Sequence, residues 1–321
     1  MKTCLVRIAT AIFASVVVSS AFAQYPSRPI RLLIPIPPGG APDVAARVVG
    51  QKLSESLGQP VVFDNRAGSN GNIAADLVAK SAPDGYTLGL LADSMITINP
   101  HLYAKMPIDM LKDLTPLASI VSNQFVLSVN PALPVKTFKE FVEHARKANP
   151  PLVYASGGNG SQHQMAMEML KSRAGINLVH VPYKGGTPAT IATVSGETMA
   201  MFAGTSTAPQ IKAGRLRALA VTGKQRSAAF PDLPMIGEFY PGYEVTIWLG
   251  LFVPVGTPNA VIAKLRGEVN KVLAAADVKE KLNAGGGLEP HSTTPEQFAA
   301  LIRSDYNKYG KLVKAIGAKV E

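Results

Sequence analysis

Short apolar runs alternate with segments whose apolar residues recur every three to four positions, a pattern that predicts buried strands followed by amphipathic helices. Runs over 30–36, 61–64 and 87–91 read as strands. Between the first two, Val44, Val48 and Leu53 share one helical face. Pro42 suits the first helical position, where a missing N–H costs nothing, and Leu57-Gly58-Gln59-Pro60 stops the helix. A long β-rich stretch over 119–129 predicts a crossover into a second unit, where the order repeats. A helix opens at the capping box Thr137-Phe138-Lys139-Glu140 and closes near Asn149-Pro150-Pro151. Strands are expected over 152–156, 178–182, 199–202 and 216–221, with helices over 162–173 and 209–213 and a short one after Pro188. An apolar, β-like segment over 245–254 returns to the first unit. The tail is helical over 258–276 and 298–316, the latter led by Thr294-Pro295-Glu296-Gln297. The pattern predicts an α/β protein with mostly parallel sheets. Its first lobe comprises 24–124 plus 245–321 and its second 125–244, with a hinge at crossings near 122–128 and 240–248.

Two turns carry the chemistry. The first strand runs into Pro37-Pro38-Gly39-Gly40-Ala41-Pro42-Asp43, and a helix begins at once. The second lobe repeats the device at Ser156-Gly157-Gly158-Asn159-Gly160-Ser161. The first amides of a helix lack internal partners and the macrodipole is positive there, so such a turn suits an anion. The candidate contacts are Gly39, Gly40 and Ala41 on one side and Asn159, Gly160 and Ser161 on the other. His163 is either a further donor or a surface or cap histidine. Tyr183, in Tyr183-Lys184-Gly185-Gly186, is read as a wall of the cleft rather than core. Ser94 and Met95 follow another first-lobe strand, where open α/β folds bind ligands, and read as a donor and an apolar contact. A carboxylate facing an anionic ligand would repel it, so Asp93 is expected to turn outward or bond backbone.

Composition narrows the function classes. The 321 residues, 47% hydrophobic, suffice for about two domains. Residues 1–23 have a basic start (Lys2, Arg7), an apolar core and Ala21-Phe22-Ala23, which together read as a cleavable secretory signal. The single cysteine, Cys4, lies inside it, so the mature chain is expected to have no disulfide or cysteine-ligated metal and to be soluble and extracytoplasmic. The net charge of +10 is scattered, with no run of five basic residues and no aromatic-interleaved stripe, which argues against nucleic acid. The histidines lack H-x-x-x-H and H-E-x-x-H spacing, so no metal is expected. Neither a nucleophile elbow nor a phosphate-loop lysine is present, and Ser161 and His163, two apart at a helix start, point to different faces. No enzyme and no cofactor is expected. A secreted hydrolase of an anionic ester is the rival reading.

The chain resembles the Bug-type periplasmic solute-binding receptors of tripartite tricarboxylate transporters. The likeness covers essentially the whole mature chain and rests on Tyr25-Pro26-Ser27-Arg28-Pro29-Ile30, the Pro-Pro-Gly-Gly turn with Asp43, and Asn65-Arg66-Ala67-Gly68. It continues through Ala82-Pro83-Asp84-Gly85-Tyr86-Thr87, Asn99-Pro100-His101-Leu102-Tyr103, the second Gly-rich turn, Val181-Pro182-Tyr183-Lys184-Gly185 and Gly256-Thr257-Pro258. The resemblance implies a two-lobed periplasmic binding protein fold with a hinge and an interlobe ligand cleft. It implies a carboxylate held by backbone groups and waters, membrane transporter subunits as partners, and a periplasmic monomer. A ligand-presenting sensor subunit would share the fold. Many relatives carry an acidic residue where this chain reads Met201-Phe202-Ala203-Gly204-Thr205. Ala203 and Gly204 therefore disfavour an amine-bearing ligand and leave room for a dicarboxylate, with an aromatic one such as terephthalate among the candidates; Thr205 is a further candidate contact.

Overall fold

The computed structural model describes residues 25–39, 41–204, 207–227, 229–284 and 288–319. The expected secretory signal, Gly40 and Thr205 lie outside the described residues. In chain order the strands are β1 (Ile30–Ile34), β2 (Val61–Asn65), β3 (Thr87–Ala92), β4 (Leu114–Val129), β5 (Leu152–Ser156), β6 (Leu178–Pro182), β7 (Ala200–Gly204), β8 (Arg217–Val221), β9 (Thr246–Pro254) and β10 (Glu289–Pro290). The helices are α1 (Ala41–Leu57), α2 (Asn72–Ala79), α3 (Asp93–Thr97), α4 (Asn99–Leu102), α5 (Phe138–Lys147), α6 (Gln162–Ala174), α7 (Gly186–Ser195), α8 (Ala208–Lys212), α9 (Asn259–Ala274), α10 (Ala276–Ala284) and α11 (Pro295–Ile316).

The strands follow the order β2-β1-β3-β9-β4-β7-β5-β6, with β8 and β10 also pairing β4. Each lobe has a parallel portion, β2-β1-β3 and β7-β5-β6. Between them the pairings of β3 with β9, and of β4 with β7, β8, β9 and β10, are antiparallel. The expectation of mostly parallel sheets is therefore corrected. Strands joined by a helical crossover run parallel, but β4 and β9 carry the chain between the lobes in opposite directions and pair as a ribbon.

Alternation along β1 sends Ile30, Leu32 and Ile34 to one face, where they meet Ala45, Ala46, Val49 and Leu53 of α1 and Leu265 and Val269 of α9. Leu33 faces the other way, into a core with Ala75 and Val78 of α2, Trp248, Phe252 and Phe298. Val44 and Val48, assigned from the sequence to the buried face of α1, are half-buried at its flank. Pro42 is the second helical residue rather than the first. The second lobe packs Phe125, Leu127 and Val129 against Phe138, Phe141 and Val142 of α5 and Met167 and Leu170 of α6. Both capping boxes form: Thr137 Oγ1 accepts from the Glu140 amide, and Thr294 Oγ1 from that of Gln297.

Strand β4 changes partners at Gln124 and Phe125: up to Gln124 it pairs with β9, and from Phe125 with β7. Thr222, buried just after β8, ties this point to the returning chain. Its hydroxyl accepts from the Phe125 amide at 2.9 Å and donates to the Val245 carbonyl at 2.6 Å. Gln124 Oε1 accepts from the Gly223 amide at 2.9 Å. Thr222→Val keeps the shape but leaves a buried amide and carbonyl short of partners. It is expected to cost about 1–3 kcal/mol, read as a lower denaturant midpoint at unchanged slope.

Candidate functional site

The first-lobe turn is braced by a carboxylate of its own. Asp43 is buried and accepts from the Gly39 amide at 2.9 Å, Arg47 Nε at 2.9 Å, Arg47 Nη2 at 3.1 Å and Asn65 Nδ2 at 2.9 Å. Burial opposes ionisation, but the hydrogen bonds from Arg47, Asn65 and Gly39 hold its pKa below the usual carboxylate range. Gly39, at φ 94°, was expected to offer its amide to a ligand; that amide is taken by Asp43. Ala41 sits exposed at the first position of α1, where helix amides lack intrahelical partners.

At the end of β3, α3 follows without a loop, and helical periodicity turns Met95 inward. Its side chain packs beneath Gly71 and joins the core with Val78 and Trp248, so Met95 is a core residue rather than a cleft contact. Ser94 is half-buried, and its amide donates to Asp93 Oδ1 at 2.7 Å. Asp93 bonds backbone as expected but does not turn outward. It is fully buried and also accepts a hydrogen bond from Gln162 Nε2 of the other lobe. Burial, with Asp305 nearby, pushes its pKa well above the usual range, so the anionic repulsion foreseen from the sequence is muted.

The second-lobe turn is held more tightly than the sequence disclosed. Ser161 caps α6, its Oγ accepting from the Gln164 amide at 3.3 Å. The Gly160 amide donates to Gln164 Oε1 at 2.7 Å, and Asn159 is exposed beside it. Gly160 has φ 75°, and a Cβ there would lie 2.1 Å from Leu102 Cδ1 of the first lobe. The His163 ring lies against Phe125 with centroids 4.7 Å apart and sits close to Gly157 and Gly186. The residue is half-buried, its Nδ1 is enclosed without a hydrogen-bond partner, and burial pulls its pKa down to about 4. Tyr183 packs over Ala155, Ala189, Met201 and Ala203. Its hydroxyl donates to Glu197 at 2.7 Å, and burial with that carboxylate pushes it up to about 12. Ala203 is buried opposite Val126, and Gly204 is paired with Phe125.

Asn159, Gly160, Ser161, His163, Tyr183, Ala203 and Gly204 thus gather at the ends of β5, β6 and β7. The Gly160–Leu102 and Gln162–Asp93 contacts bring that cluster against the end of β3. Sequence reasoning did not single out Gln162 and Gln164, in the polar first turn of α6, or His180, in the apolar strand β6, and took Ser156 only as the start of the turn; a buried polar group asks for a partner, and that was the available signal. Ser161 and His163 do not form a catalytic pair, because Ser161 Oγ is the helix cap. Two grooves of about 480 and 450 Å³ open elsewhere, one beside Ile211 and Phe230 and one beside Ile73 and Tyr103; neither is lined by the glycine turns. Among the described residues no cluster of three or more His, Cys, Asp or Glu could hold a metal, and no helix is long and apolar enough to cross a membrane.

The two-lobed α/β fold is shared with solved periplasmic binding proteins. Residues 45–318 match the tripartite tricarboxylate transporter family receptor, and the chain belongs to that family. A Pseudomonas sp. protein from the tcbD-tcbE intergenic region is 38% identical over 314 residues, covering 96% of this chain and 93% of the relative. BugT of Bordetella pertussis is 34% identical over 300 residues, covering 92% of each. An R. palustris protein solved with adipate superposes with a TM-score of 0.81 at 32% identity, covering 92% of this chain and all of that one. MatC from Rhodopseudomonas palustris with bound malate gives 0.75 at 29%, covering 90% and 100%. The protein is a periplasmic solute-binding receptor and not an enzyme.

Because folded His163 stays neutral to about pH 4 while the unfolded chain takes up a proton near 6.5, its contribution is complete above 6.5 and is lost as pH falls towards 4. His163→Gln is expected to flatten that limb of the stability–pH curve by up to about 3 kcal/mol. Denaturant titrations of both proteins across this range check the sign and the size.

Proposed function

We propose that the receptor captures a dicarboxylate between its lobes and delivers it to membrane transporter subunits. In this reading the mature chain, freed of residues 1–23, is a periplasmic monomer. The observation that carries the ligand class is the second-lobe turn: a pinned Gly158–Ser161 segment at the start of α6, set against the end of β3 in the other lobe. Gly158, Gly160 and Ser161 use their amides inside the turn, so the amides of Asn159, Gln162 and His163 at the start of α6 would hold one carboxylate there without a dedicated cation. The first-lobe turn, whose Gly39 amide is used by Asp43, would take the other with the free amides at the start of α1. Tyr183 over Ala155, Met201 and Ala203 supplies a flat apolar wall, which favours an elongated or aromatic dianion such as adipate or terephthalate. The solved relatives that carry adipate and malate support a dicarboxylate. Asp93, fully buried in a setting that favours its neutral form, is a poor partner for an ammonium group, which disfavours amino acids.

The energetics call for both lobes. A hydrogen bond to a charged group contributes roughly 1.5–3 kcal/mol, so a few bonds from one turn barely exceed the cost of association. A micromolar complex needs about 8 kcal/mol, which implies closure about the two chain crossings near Thr222.

Calorimetric titration of the ligand-stripped protein with terephthalate, adipate, succinate, malate, citrate, glutamate and benzoate tests the reading. One-to-one binding of a dicarboxylate near micromolar, with benzoate much weaker, is expected; binding of glutamate alone would retire it. Gly160→Ala forces a side chain into positive φ and against Leu102. It is expected to weaken the best ligand by about ten-fold or more and to lower stability by about 1–2 kcal/mol.

A further inference from the structure

The second-lobe turn is held by a chain of hydrogen bonds that passes through one imidazole. His180 lies in β6 opposite Tyr154 of β5, with which it stacks at 4.9 Å. Its Nε2 is 2.6 Å from Ser156 Oγ, and its Nδ1 is 3.3 Å from Gln164 Nε2. Each of those partners grips the turn. Ser156 Oγ accepts from the Gly158 amide and donates to the Gly158 carbonyl, both at 3.1 Å, and Gln164 Oε1 accepts from the Gly160 amide at 2.7 Å.

Donor and acceptor roles then follow in one direction only. The Gly160 amide requires Gln164 to present Oε1, which aims the Gln164 NH₂ at His180 Nδ1. Nδ1 must therefore accept, so the proton sits on Nε2 and is donated to Ser156 Oγ. That leaves the single Ser156 hydroxyl proton for the Gly158 carbonyl. A proton on Nδ1 would confront the Gln164 NH₂. Rotating that amide to relieve the clash would set its NH₂ against the Gly160 N–H. The first arrangement sets two N–H groups against each other, and the second gives up the Gly160 grip.

We propose that His180, as the neutral Nε2–H tautomer, is the positioning residue that fixes the Gly158–Ser161 turn for its ligand, and that protonating it releases the turn. This rests on the reading of that turn as a carboxylate site. The charged and titratable groups facing the ring are Glu168 and Lys171 of α6, paired at 2.8 Å, and Tyr154 of β5, whose hydroxyl donates to Glu168 at 2.7 Å. Burial pulls His180 below the ordinary histidine value of 6.5, with Glu168 opposing and Lys171 reinforcing the shift, so the neutral form prevails at neutral pH.

The test follows the full ¹⁵N-labelled chain from about pH 7.5 to about pH 4.5 as wild type, His180→Gln and His163→Gln. It reads the His180 ring shifts, the exchange protection of the Gly160 amide and the affinity for adipate. The Nε2–H tautomer is expected at neutral pH. As His180 protonates, Gly160 protection and adipate affinity should fall by about ten-fold or more, in wild type and His163→Gln alike. In His180→Gln the Gly160 protection should not change over that window, and adipate should show only its own titration. An Nδ1–H tautomer, or titration of His180 with Gly160 protection unchanged, overturns the proposal. If the Gln variant does not fold, the wild-type shifts and protection decide. No adipate binding at any pH, with ring and amide behaving as stated, upholds the role of His180 and counts against the dicarboxylate reading.

Discussion

The sixteen-residue strand β4 serves two sheets, and the geometry of the cleft depends on where it changes partners. Up to Gln124 its ladder belongs to the first lobe, and from Phe125 to the second. A strand can switch sheets only if the backbone groups at the switch find partners, because buried amides and carbonyls are costly to orphan. Thr222 supplies them for Phe125 and Val245 together, and the same hydroxyl closes the ladder where the returning chain meets β4. Contacts of Met165 with Ile98, Leu102 and Tyr309 add a second seam between α6 and the first lobe.

The electrostatics of the turns are economical in charge. Asp43 occupies the start of α1 and holds Gly39, with Arg47 balancing it at the rim. Asp93 sits at the lobe seam in a setting that favours its neutral form. In the second lobe Ser156, Gln164 and His180 do the same work with neutral groups. Fixed dipoles and hydroxyls thus hold the turns in place of flexible cations. Such a site can discriminate anions by shape and by the spacing of their charged ends, at little reorganisation cost.

Much of this was legible from the chain. The capping boxes at Thr137 and Thr294, the stop at Gly58-Gln59-Pro60 and the strand runs follow from local rules, because each depends on residues a few positions apart. The antiparallel pairing of β4 with β9 was not legible, since it joins segments more than a hundred residues apart. Met95 was misplaced because α3 starts without a loop after Ala92, and one turn of helix reverses which residues face inward. Gly39 was taken for a free donor because nothing in its immediate sequence shows that Asp43 bends back to claim it. The polar network behind Gly158 and Gly160 crosses β5, β6 and α6, so its members looked like unrelated residues until the fold assembled them.

A single dicarboxylate that bridges both turns, as proposed, must draw the lobes together. Small-angle scattering of the ligand-stripped protein, with and without saturating adipate or terephthalate, addresses this most directly. A fall in radius of gyration and maximum dimension with a dicarboxylate, and none with benzoate, is the predicted result. Tight binding of a dicarboxylate that leaves both dimensions unchanged would contradict the account.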